Sequence, residues 1–157
     1  MTKGLAYGIL LVFIAISLCL MAARPDWIAD NNRFLRDFVN HEFINVLGIT
    51  LAVTLASAAQ IHLAFNRIEE QHRVRNALEK SRAQLRSNVY WLISLFALGV
   101  AVVTVKPIAS MNATGEAFFN MTALGILLCH VLIMTALTQL VFAIEPEFFD
   151  DDPGNGT

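Results

Sequence analysis

An all-α integral membrane protein with four transmembrane helices is the fold class this 157-residue sequence predicts. Three observations predict it. Hydrophobic residues make up 56% of the chain and charged residues only 15%, against roughly 45–50% and 25% in ordinary soluble domains. Residues 4–23, 43–65, 87–105 and 117–144 contain no Asp, Glu, Lys or Arg at all. Each of these runs is long enough to cross a hydrocarbon core, which takes about 20 apolar residues at 1.5 Å per residue. A soluble helix of that length would keep a charged face towards water.

The first run, 4–23, follows Lys3 and contains Gly4-Leu5-Ala6-Tyr7-Gly8, a close-approach motif for membrane helices. Its apolar stretch is longer than the roughly 7–15 residues of a signal-peptide core, so it is expected to stay as a span. Arg24-Pro25 ends it, because proline restricts its predecessor and cannot continue the hydrogen-bond ladder. Asp30, Asn31 and Asn32 are capping residues for a new helix. Phe34, Leu35, Phe38 and Val39 fall at helical spacing with charges opposite. That segment either lies flat in the outer interface or packs as a short connecting helix.

The second run, 43–65, is rich in small and hydroxyl residues. Gly48, Ala52, Ala56 and Ala59 recur at about every fourth position, interleaved with Thr50, Thr54, Ser57 and Gln60. Such faces let helices approach closely, with the hydroxyls and amides bonding across the contact. Subunit association and packing within the chain both satisfy this pattern.

Residues 66–86 hold no Gly or Pro and many strong helix formers, which predicts a helical hairpin extending the second and third spans and reversing near Arg75-Asn76. A single lateral helix is the alternative. Ile68, Val74, Leu78 and Leu85 would form the seam. Arg67, Arg73, Arg75, Lys80, Arg82 and Arg86 outnumber three glutamates, so the hairpin is basic. These six form the candidate site for an anionic partner: a nucleic acid, a nucleotide, an acidic protein surface or lipid headgroups. A solvated loop whose charge only fixes topology is the plainer reading.

The third run, 87–105, begins with the interfacial pair Tyr90-Trp91 and ends before Lys106, which is expected to snorkel to the headgroups. A short polar loop, 107–116, leads to the fourth run, 117–144. Two glycosylation triplets begin at Asn112 and Asn120, one close to the membrane and one inside it, and are discounted. The tail, 145–157, carries five acids and no base, and is expected to remain unpacked or to act as a salt-sensitive lid on the hairpin.

Counting Lys and Arg places seven on the side of the termini and hairpin and four on the other, so both termini are expected in the cytoplasm, of a bacterial inner membrane. Ionisable groups inside spans are functional candidates by default. His62 and His130 qualify, and His130, Met134 and Thr138 share one helix face. His130 is either a neutral histidine bonded to a neighbouring helix or part of a proton or ion pathway. A haem bridging the two histidines is disfavoured, since eight residues of offset is about 12 Å of depth. Cys19 and Cys129 lie within spans and act as small apolar residues.

No phosphate-binding loop, metal-ligand motif or nucleophile motif is present, so neither enzyme activity, cofactor nor metal is expected. The layout of four spans and a basic hairpin is similar to that of small bacterial membrane proteins, including effectors and sensors of anti-phage defence systems. The function expected is that of a homo-oligomeric, channel-like or membrane-perturbing subunit with a cytoplasmic anionic partner. The alternative is a non-conducting anchor or scaffold for a soluble partner.

Overall fold

Asparagine side chains decide where three of the helices begin. In the computed structural model, which describes residues 3–72 and 79–144, Asn32 Oδ1 accepts from the backbone N–H groups of Phe34 and Leu35 at the start of α2 (Arg33–Phe38). Asn40 Oδ1 accepts from Glu42 N at the start of α3 (His41–His72), and Asn112 Oδ1 from Gly115 N at the start of α5 (Ala113–Ile144). Each side chain satisfies a donor that the first helical turn cannot satisfy internally. The remaining helices are α1 (Lys3–Ala23) and α4 (Glu79–Ala109), with one 3-10 turn over Pro25–Trp27. Among the described residues there is no strand.

Four of these helices are long and apolar enough to cross a membrane: Gly4–Ala23, His41–Arg67, Glu79–Ala109 and Ala113–Gln139 are the stretches concerned. Their surfaces agree with a lipid environment, because Leu11, Leu18, Ile49, Leu63, Leu98 and Ile108 are all exposed. So much exposed apolar surface would aggregate in water. At 32 residues α3 is about 48 Å long, well beyond a hydrocarbon core of about 30 Å.

Helix α4 packs against α3 on one side and α5 on the other, and α1 packs against α5. The end bearing the α1–α3 connection and the α4–α5 turn is called here the connector end, and the opposite end of α3 and α4 the arm end. Towards the connector end, Val39, Phe43 and Leu47 meet Val102, Ala123 and Ile126. Towards the arm end, Ala58 and Phe65 meet Leu85, Leu92 and Leu137. Gly99 makes the first of these contacts possible: a Cβ there would lie 2.7 Å from Leu47 Cδ1 and 3.2 Å from a Phe43 ring carbon. Helix α1 is held more lightly, with the Phe13 ring over Gly125 and Leu20 and Met21 against a small cluster of Ile28, Leu35 and Ala117.

Several expectations change. Asp30 and Asn31 do not cap α2; Asn32 does, because it immediately precedes the first helical residue. Leu35 and Val39 turn into the protein, so α2 is a short helix packed by those residues, while Phe34 stays exposed and stacks on Phe38 at 5.5 Å. The helix of the third run does not stop before Pro107. Helix α4 runs through it to Ala109, since a proline so near a helix end forfeits only one backbone bond. The expected reversal near Arg75-Asn76, the seam residues Val74 and Leu78, and the acidic tail lie outside the described residues; of the seam, Leu85 is buried.

Candidate functional site

A largely enclosed polar cluster sits at the connector end and joins three segments distant in sequence. Lys106, near the end of α4, donates from Nζ to Asp30 Oδ1 and to Asn120 Oδ1, both at 2.7 Å. Asn120, on α5, uses both hydrogens of its amide, donating to the Ile28 carbonyl at 2.8 Å and to Asp30 Oδ1 at 3.1 Å. The backbone N–H of Asp30 donates to Glu116 Oε2 at 3.0 Å, in the first turn of α5. The Lys106 side chain is only 8% exposed and that of Asp30 28%. The burial of Ile28 and Ala29 carries the chain over the start of α5 and delivers Asp30 to the lysine. A buried ammonium is tolerated when a charge partner and further acceptors surround it, and here they do.

Lys106 therefore does not snorkel. It turns inward because Asp30, 76 residues earlier, and Asn120 offer it acceptors inside the fold. Asn120 looked like an idle sequon residue, yet it is fully buried and fully hydrogen-bonded. An ionisable residue at a span boundary with a carboxylate in the facing connector was the available signal. Chemically the cluster is a satisfied clasp of the connector onto α4 and α5.

The polar residues singled out on α3 and α5 divide into two groups. Thr54 and Ser57 meet Met134 and Thr138 along a groove of about 290 Å³ between the two helices. The hydroxyls do not bond across it. Thr50 donates to the Val46 and Leu47 carbonyls, Thr54 to Thr50, Ser57 to Val53 and Thr138 to Met134. A carbonyl one turn back is always within reach of a helical hydroxyl. Ala52, Ala56, Ser57, Ala59 and Gln60 are exposed, whereas Gly48 faces Phe96, whose ring would lie 3.7 Å from a Cβ placed there. Packing within the chain thus uses Gly48 and leaves the rest of the small-residue face open.

His130 is 1% exposed; its Nδ1 lies 3.4 Å from the Ile126 carbonyl, and its Nε2 is buried with no partner. The expected bond to a neighbouring helix is not made. His62 is exposed near the arm end, beside Arg82 and Arg86. Arg82 pairs with Glu69 across α3 and α4 at 2.8 Å. Arg67, Lys80 and Arg86 are exposed, and Arg73 and Arg75 lie outside the described residues. Both cysteines are free thiols, Cys19 exposed and Cys129 half-buried. No group of His, Cys, Asp and Glu able to hold a metal occurs among the described residues. No family model, curated protein or solved structure matches this chain.

Proposed function

We propose that the chain is a non-enzymatic, self-associating subunit of a bacterial inner membrane, with α1, α3, α4 and α5 as a four-helix transmembrane bundle, both termini in the cytoplasm and the α3–α4 arms as a cytoplasmic hairpin. Copies assemble through the open face of α3 into a channel-like or membrane-perturbing oligomer, and the basic hairpin receives an anionic signal or partner.

The observation that carries this reading is the exposure of Ala52, Ala56, Ser57, Ala59 and Gln60 in mid-helix, with the Thr54–Ser57–Thr138 groove alongside. Lipid-facing surfaces favour bulky apolar side chains, while small and polar residues favour helix–helix contact. Among the described residues nothing covers this face, and a second copy of the chain would bring the same face to it across a two-fold axis. A chain of this size has little room for a pathway of its own, so conduction requires several copies placing Thr54, Ser57 and Thr138 around a shared axis.

The test is electrical recording from the purified protein in planar bilayers. Conductance that changes with Thr54→Ala or His130→Ala supports the proposal. Silence from an intact oligomer would sink it and leave the chain as an anchor that docks a soluble partner through the hairpin.

A further inference from the structure

At the arm end, α3 and α4 enclose a crevice of about 260 Å³ lined by Ala58, His62, Arg82, Leu85, Arg86 and Val89. Its lining has two chemistries: Ala58, Leu85 and Val89 are apolar, and the two arginines are cationic. Arg82 commits one terminal nitrogen to Glu69, but its Nε–H is buried and has no acceptor. Arg86 is exposed and, among the described residues, has no ion pair or hydrogen bond. Among the described residues Arg86 therefore brings a positive charge to the crevice that no acidic side chain offsets.

Arg86 also borders a second hollow, about 460 Å³, that runs along α4 over Ser87, Tyr90, Trp91 and Ser94. The charge-free run begins at residue 87, and Tyr90 and Trp91 are exposed at 63% and 62%. Amphipathic aromatics settle at headgroup level. The crevice thus sits at the boundary between the charged arms and the apolar span, with cations towards the water and an apolar wall leading into the hydrocarbon.

We propose that this crevice binds one phospholipid of net negative headgroup charge, its phosphate on the Arg86 guanidinium at the mouth beside Arg82 and one acyl chain along Ala58 and Val89. The proposal rests on the reading of the hairpin as an anion receiver and narrows the partner to a lipid. Guanidinium forks match phosphate oxygens, and basic pockets between membrane helices at the headgroup level are where anionic lipids are held. A soluble anion would use the arginines but not the apolar wall.

The experiment uses full-length protein in neutral detergent, titrated with phosphatidylglycerol or with phosphatidylcholine of the same acyl chains. Native mass spectrometry counts retained lipid and thermal unfolding reports its effect. The expected result is one retained phosphatidylglycerol per chain and a rise in Tm that phosphatidylcholine does not give. Arg86→Gln, which breaks no bond within the chain, should weaken that binding about tenfold, the size of one charge-assisted contact. Arg33→Gln, the same charge change at the connector end, should leave it unaltered. Equal responses to the two lipids, or equal effects of the two variants, would overturn the proposal. A matching shift from inorganic phosphate would do the same, since the apolar wall would then contribute nothing. An oligonucleotide that binds where phosphatidylglycerol fails would reject the lipid and keep the anion-receiving hairpin; failure of every anion would reject both.

Discussion

At the scale of single residues, the protein spends its buried polar groups in two opposite ways. Lys106, Asp30 and Asn120 satisfy one another, whereas His130 holds an Nε2 with no partner. The expected consequences differ in sign. Removing Asp30 by Asp30→Ala strands a buried ammonium and should cost about 3 kcal/mol. Adding Lys106→Met should recover part of that loss, because the unpaired charge goes with it. Thermal or denaturant unfolding of the two single variants and the double variant checks this; a double variant as unstable as the sum of the singles would deny the pairing. His130→Leu should instead hold or raise stability, by up to about 1–3 kcal/mol, since a costly orphan is replaced by an apolar side chain. A clear loss of stability would mean that the Nε2 has an acceptor in the assembled protein. The sequence carries only a weak signal of this pairing, an ionisable residue at the edge of an apolar run with a carboxylate in the facing connector, because Lys106 and Asp30 are 76 positions apart and each has an ordinary local role to offer. That His130 falls inside a helix long and apolar enough to cross a membrane was legible, because it needs only the count of apolar residues around it.

Whole elements were easier to read than their contacts. Four charge-free runs predict four long helices from composition alone, and the helices extend beyond the runs because residues such as Glu69, Glu79 and Lys80 are good helix formers in water. Which small residue lies at a helix crossing was not readable. Gly48 stood out by its spacing, yet Gly99 is the position where Leu47 and Phe43 press closest. The same substitution separates the two faces. Gly99→Leu should destabilise the single chain by about 1–3 kcal/mol through overpacking, with α3 and α4 forced apart. Ala52→Leu points outward, so it should leave chain stability within about 0.5 kcal/mol and weaken association of copies. Unfolding measurements and cross-linking read the two effects independently. An oligomer indifferent to Ala52→Leu would mean that α3 meets lipid on that face.

For the molecule as a whole, the orientation proposed from seven basic residues against four follows from charge counting and has a direct test. Cysteine placed at Met111, 93% exposed in the α4–α5 turn, should react with an impermeant thiol reagent in intact cells. At Gln84, exposed on the α4 arm, it should react only after the membrane is opened. The reverse pattern would turn the hairpin outward. The basic balance and the spans could be counted from residue types, but the clasp at the connector end could not, because it depends on where the chain passes over α5. That clasp also sets an order of assembly. Asp30 is made 76 residues before Lys106 and 90 before Asn120. At about 5–20 residues per second, the connector emerges several seconds before the helices that will seat it. During that interval Ile28, Ala29 and Asp30 have none of their final neighbours on α4 and α5, and α1 has no α5 to lean on. Completion of the fold is therefore a late event in synthesis, governed by arrival of α4 and α5, and a chain stalled before them would display an unpaired acidic connector to any protease that reaches it.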